Sequence, residues 1–345
     1  MDMTSAPVAK TIASPATGGR VGVMLANLGT PDSLDVPAVR RYLREFLSDP
    51  RVIELTKFAW YPILYGAVLT TRPKKTAANY AKIWNRQLDE SPLRTISREQ
   101  AERLASTFEN DDRIVVDWAM RYGSPAIRDS VKRLMDAGCD RILFVPLYPQ
   151  FSATTTATAN DQLYRALMKI RAMPTVRSVP PYYAEPVYID ALARSLTAEL
   201  AKLDFEPQMV LASYHGIPKP YSDKGDPYRA HCLETTRLLR ERLGWGEDRL
   251  ISTFQSRFGA QEWLQPYTDR TVEKLAKEGV KRIAIVNPGF SADCIETLEE
   301  IDGEAREIFL HNGGERFAHI PCLNASDDGM AVIEALVRRE LGGWI

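Results

Sequence analysis

The 345-residue chain carries 45% hydrophobic and 26% charged side chains, enough to bury a large core and more length than one core usually fills, so two domains are expected. Its 44 basic and 45 acidic residues nearly cancel, which excludes a whole-surface field that would recruit nucleic acid or anionic lipid, and any anion must be held locally. Four cysteines, Cys139, Cys232, Cys294 and Cys322, stand far apart without a C-x-x-C pair; this excludes a disulfide framework or a zinc ribbon and fits a reducing, cytoplasmic setting.

In chain order, residues 1–19 are rich in Ala, Ser and Thr, lack the apolar run of a secretory signal, and read as a disordered tail. A β-branched apolar run at 21–28 follows, then helical periodicity over 36–47. Residues 58–69, FAWYPILYGAVL, fall well short of the roughly 18 apolar residues that span a bilayer. They read either as a buried core helix or as an interfacial lip that touches membrane or an apolar ligand. Further strand-like runs occupy 114–119, 141–145, 175–179, 209–214, 250–254, 282–287 and 317–320, with helical periods at 125–137, 188–203, 228–243 and 265–277 among them. Strand alternating with helix predicts the α/β class with parallel sheets.

The two halves echo each other. GCDRILFV from Gly138, ending at Phe151-Ser-Ala, returns as GVKRIAIV from Gly279, ending at Phe290-Ser-Ala, and a weaker echo links MLANLGTP from Met24 to VLASYHGIP from Val210. In open α/β sheets, ligands bind outside the carboxyl ends of the strands, so the loops after Leu28, Val145, Tyr214 and Asn287 are the expected walls of a cleft.

Those loops hold the densest polar chemistry. His215 follows a strand in a turn fixed by Gly216 and Pro218, a poor place for a core histidine and a good one for a metal ligand or proton acceptor. Asp293, Glu296 and Glu300 are spaced by three and four, so a helix stacks them on one face, either as a solvated acidic face or as a path for a hard divalent cation or departing protons. After Val145, PLYPQFSATTTAT offers aromatic surface and hydroxyls, Tyr148 and Gln150 among them, to a flat ligand bearing carboxylates. Arg121 and Tyr122 end another strand, where an arginine could pair with a propionate.

Residues 210–228, VLASYHGIPKPYSDKGDPY, resemble the ferrochelatase signature throughout. The likeness continues in Leu25-Ala-Asn-Leu-Gly-Thr-Pro-Asp, Tyr148-Pro-Gln-Phe-Ser, Phe254-Gln-Ser-Arg-Phe-Gly and Phe290-Ser-Ala-Asp with Ile295-Glu-Thr-Leu, and so covers nearly the whole chain after the tail. The resemblance implies a lyase of haem biosynthesis that inserts Fe²⁺ into protoporphyrin IX. It also implies a chelatase-like fold of two similar Rossmann-like domains, each with a four-stranded parallel sheet flanked by helices, here 20–183 and 184–322. Residues 323–345 would form a C-terminal helix packing back on the first domain. His215 and Glu296 match the catalytic and metal-contacting pair, and Asp293 and Glu300 the acidic line that relays protons or metal on a π-type helix. Arg121, Tyr122, Leu28, Phe290, Ser91, Pro92, Tyr148 and Gln150 would contact the porphyrin. The expected partners are protoporphyrin IX and ferrous iron, with peripheral contact to the inner membrane through 58–69 and no nucleic acid.

Three departures stand out. Cys294 replaces a second histidine of the animal enzymes. Ala153 stands where those enzymes have a cysteine for a 2Fe-2S cluster, and the sequence ends at Gly342-Gly-Trp-Ile without their extension, so no such cluster is expected. Glu90 replaces the glycine before Ser91-Pro92-Leu93, which bears on loop flexibility and tetrapyrrole preference. The competing readings are a chelatase for coproporphyrin or sirohydrochlorin and a haem carrier without turnover. A carrier has no use for the acidic row, and a hydrolase using His215 as base lacks a G-x-S-x-G elbow.

Overall fold

The computed structural model describes residues 19–345 except residue 260, so the tail expected over 1–19 lies, but for its last residue, outside the described residues. Among the described residues, eight strands form two four-stranded parallel sheets. The first joins β1 (Arg20–Gly29), β2 (Ile114–Tyr122), β3 (Cys139–Pro146) and β4 (Thr175–Ser178) in the order β2-β1-β3-β4. The second joins β5 (Met209–His215), β6 (Leu250–Gln255), β7 (Arg282–Val286) and β8 (Arg316–Ile320) in the order β6-β5-β7-β8. The permutation is the same in both. The sequence echoes pair β1 with β5 and β3 with β7, the strands holding equivalent places. The echo extends past β3 and β7, since each loop leads into a π-helix, Ala153–Ala157 and Glu296–Ala305.

β1 is buried along nearly its whole length, as a central parallel strand covered on both faces must be. It ends on Gly29 at φ +114°, where a Cβ would sit 1.8 Å from the Tyr122 carbonyl oxygen, so only glycine lets β1 and β2 close side by side. Helix Val36–Leu47 forms because Ala38, Val39, Tyr42, Leu43 and Leu47 make a buried stripe at helical spacing, with a proline in its first turn. Helix Pro92–Thr107 starts on Ser91, whose hydroxyl accepts the Arg94 N–H at 3.3 Å. One apolar cluster runs from Val21 and Leu143 through Tyr188 and Leu196 to Val210, Leu336 and Val337, so a shared core joins the two sheets. Helix Asp327–Leu341 lies on helices Pro186–Ala201 and Pro92–Thr107 and on β3.

The 58–69 segment proves to be part core and part surface. Helix Lys57–Ile63, a π-turn at Leu64–Val68 and helix Leu69–Ile83 follow one another, with Pro62 and Pro73 inside, where each removes a ladder donor. Trp60, Leu64, Val68 and Leu69 are buried, whereas Phe58 is 94% exposed and Ile63 and Tyr65 about half exposed. Among the described residues no helix is long and apolar enough to cross a membrane.

Candidate active site

In each sheet the order in which strands are added reverses between the first and third strands, and ligands bind at the carboxyl ends flanking such a switch point. His215 ends β5, and β7 is followed by a loop with Asn287 and Phe290 that leads into the π-helix beginning at Glu296, so the switch point of the second sheet places histidine and glutamate together. Both line a cavity of about 500 Å³ that also takes in Gln255, Ser256, Glu299, Glu300 and Glu304.

The histidine's tautomer follows from its hydrogen bond. Nδ1 lies 2.6 Å from the Gly216 carbonyl, which can only accept, so Nδ1 carries a proton and Nε2 is the ring nitrogen left to give or take one. Trp263 packs beside the ring at 6.4 Å.

A polar network aims the π-helix at this histidine. Gln255 is paired in register with His215. Its Oε1 accepts from Ser213 Oγ at 2.8 Å and Asn287 Nδ2 at 2.9 Å, which turns Nε2 toward the Glu296 carbonyl at 2.7 Å. Ser256, in the left-handed region at φ +68°, donates its N–H to Glu300 Oε1 at 2.6 Å and its hydroxyl to Oε2. A serine held in that sparsely populated conformation is costly, and here it grips a carboxylate. Burial pushes the Glu300 carboxyl above the ordinary range; the Ser256 bonds and the charge of His215 pull it down, and Glu296 pushes it up again. Glu300 therefore feels both members of the pair. Burial and then the charge of Glu296 push up the Tyr80 phenol, which belongs to the first half.

The predicted acidic line is only partly brought together. Glu296 and Glu300 share the cavity with His215, but Asp293 precedes the π-helix and is buried behind it. Its carboxylate accepts from Asn324 Nδ2 at 2.7 Å, Thr297 Oγ1 at 2.8 Å and the Cys322 N–H at 3.3 Å, bonds that stitch the loop after β7 to the one after β8. Glu304 takes its place in the row. A π-helix bonds i to i+5 and carries more residues per turn than an α-helix, so 296, 300 and 304 align where α-helical spacing suggested 293, 296 and 300. Glu299, Gln255 and Ser256 were not among the expected site residues; their signals were the Phe254-Gln-Ser-Arg-Phe-Gly stretch at the end of β6 and the acidic run itself. Buried Cys294 lies beside this line, its thiol pushed well up first by burial and then by Glu296.

The proposed porphyrin contacts scatter. Arg121 does not reach the cavity: its guanidinium is buried, donates from Nε to Thr158 Oγ1 at 2.7 Å, pairs with Asp49 and stacks on Tyr122. Tyr122 is fully buried and donates to Asp49 at 2.9 Å. No free guanidinium is left there for a propionate, and both residues brace the end of β2. Leu28 and Phe290 are half-buried at the ends of β1 and β7, Leu28 between two apolar clusters and Phe290 against Leu93 and Met120. Ser91 and Pro92 start their helix behind a turn closed by paired Asn85 and Glu90 backbones, and the Glu90 carboxylate is held by Arg98 and Thr95. The departure at Glu90 thus pins the turn. Gln150 donates to Thr235 at 3.0 Å across the halves, and Tyr148, Asn287 and Ser291 each keep a buried polar atom with no partner, all in loops after β3 and β7.

A family model described as Ferrochelatase matches residues 20–341. Curated proteins named Ferrochelatase from Mesorhizobium japonicum and Rhizobium meliloti are 70% and 63% identical over 332 residues, covering 96% of this chain and 94% and 98% of their own. One from Brucella ovis is 64% identical over 326 residues, 94% of this chain and 93% of its own. Among solved structures, SirB from Bacillus subtilis with Fe³⁺ matches 94% of this chain and 97% of its own at a TM-score of 0.57 and 12% identity. The multi-domain DR2241 from Deinococcus radiodurans, which is described as structurally similar to chelatases, matches 92% of this chain and 55% of its own at 0.54 and 13%. At such identities these structures speak for the fold alone.

Proposed function

The chain belongs to the ferrochelatase family, a family of metal-chelating lyases, and from that premise we propose how its own residues carry out insertion of Fe²⁺ into protoporphyrin IX. The observation that carries the reading is the pairing of Nε2 of His215 with a row of carboxylates in one cavity at the switch point of the second sheet.

The metal-free porphyrin loses its two pyrrole N–H protons as the metal arrives, so the site needs a base near the macrocycle and a route for cations. Nε2 of His215 is that base, set by the Gly216 bond. Glu296, Glu300 and Glu304 form the route, along which iron enters or protons leave. Hard carboxylates without a thiolate cage bind Fe²⁺ weakly enough to release it. Remote contacts in the cleft bend the macrocycle and expose its nitrogen lone pairs. Asp293 acts by holding the base of this row in place. The units doing this are 20–183 and 184–322, with 323–345 returning to the first. We expect no iron-sulfur cluster at Ala153, whose N–H is taken by Asp226 at 2.7 Å. The exposed Phe58, Ile63 and Tyr65 form an apolar lip suited to peripheral membrane contact and to the vinyl edge of protoporphyrin rather than to the additional propionates of coproporphyrin.

His215→Ala tests the core of this. Metal insertion followed by porphyrin absorbance is expected to fall at least about a hundredfold, with porphyrin binding retained; insertion near the normal rate rules out His215 as the base.

A further inference from the structure

The cavity has two unlike walls. Helix Leu69–Ile83 of the first half contributes Arg72 and Asn79, and the π-helix Glu296–Ala305 of the second half contributes the carboxylates. Three cations on helix Leu69–Ile83 behave differently. Arg72 lies 3.9 Å over the Phe258 ring. Lys75, with Lys82, moderates the raised proton affinity that burial and Glu299 give Glu304. Lys82 goes further and forms an ion pair, its Nζ 2.6 Å from Glu299 Oε1.

That pair is lopsided: the Lys82 side chain is 60% exposed and that of Glu299 only 6%. An ammonium at the end of a flexible, hydrated stem is a screened and easily broken partner. A divalent cation reaching the same carboxylate brings twice the charge and binds its oxygen directly. Glu299 lines the cavity and is next in sequence to Glu300, so whichever cation holds Glu299 stands at the acidic row that leads to His215.

We propose that Lys82 gates the metal substrate, its ammonium occupying Glu299 between the two halves of the chain until a divalent cation displaces it. This rests on the acidic row being the cation's route. By neutralising a carboxylate beside that row, Lys82 lowers the affinity of the empty site for cations.

The test is steady-state insertion of Fe²⁺, or Zn²⁺ as a stable substitute, with the metal varied at saturating porphyrin. Lys82→Gln is expected to lower the metal KM about threefold, the size of one screened charge, with kcat and the porphyrin KM unchanged. Lys82→Arg keeps the wild-type value, and Lys82→Gln on a Glu299→Gln background gives no further shift. An unchanged metal KM in Lys82→Gln overturns the gate, as does a raised one accompanied by a lower unfolding midpoint, which marks a structural strut. Glu300→Gln and Glu304→Gln separate the two ideas. If they raise the metal KM while Lys82→Gln does nothing, the gate alone falls; if they leave it unchanged, the route falls and the gate with it.

Discussion

Glu300 shows how one side chain ties stability to the site's chemistry. Its carboxyl is raised by burial and held by Ser256, so the folded protein keeps that proton to higher pH than the unfolded chain does. The sign follows: below the ordinary glutamate value of 4.5 both states are protonated and there is no penalty, and as pH rises from 4.5 through the raised folded value, stability is lost. Thermal unfolding across that window should show the decline in the wild-type protein and a flatter profile in Glu300→Gln. A parallel decline in both would mean that Glu300 is not the titrating group. The same residue shows why the carboxylates are not interchangeable, since Glu300 is gripped by a serine held at φ +68° while Glu299 takes a lysine from the other half.

At the scale of elements, what holds the strand ends is buried charge rather than apolar packing alone. Asp49, just after helix Val36–Leu47, receives Arg121 and Tyr122 from the end of β2 and Thr158 from the start of helix Thr158–Leu167. Burial pushes its carboxyl up, but the hydrogen bond from Thr158, then those from Arg51 and the charge of Arg121, carry it below the usual range. Asp49→Ala leaves a guanidinium buried without its counter-charge and is expected to cost about 3–5 kcal/mol, measured by denaturant unfolding; a loss under about 1 kcal/mol would place the pair among solvated ones. Arg121 looked like a ligand for a propionate because it ends a strand at the cleft. Its partner lies 72 residues earlier in the chain, and nothing near it in sequence marks that partner.

Across the whole molecule, the loop after β3 is fastened to the second half at several points. Asp226 accepts from Ser152 Oγ at 2.9 Å and the Ala153 N–H at 2.7 Å, and His231 Nδ1 accepts the Phe151 N–H at 3.2 Å while its ring stacks on Tyr183. These bonds run between the two halves of the chain. Asp226→Ala is expected to raise the porphyrin KM about tenfold, as loss of a charge-assisted pair of hydrogen bonds implies, with a smaller change in metal KM. Equal shifts in both would point to general loosening instead.

The sequence by itself determined the class, the eight strands to within a few residues, the repeated design and the switch-point histidine, because burial period and turn chemistry are local properties. It also supplied the family, through the residues around His215. Tertiary structure alone decided which polar groups meet. It set Asp293 behind the row and Glu304 in it, because helix type depends on how the segment packs. It also gave Arg121 to Asp49 and placed Lys82 against Glu299, since charges far apart in the chain become neighbours only when the two sheets dock through their shared core.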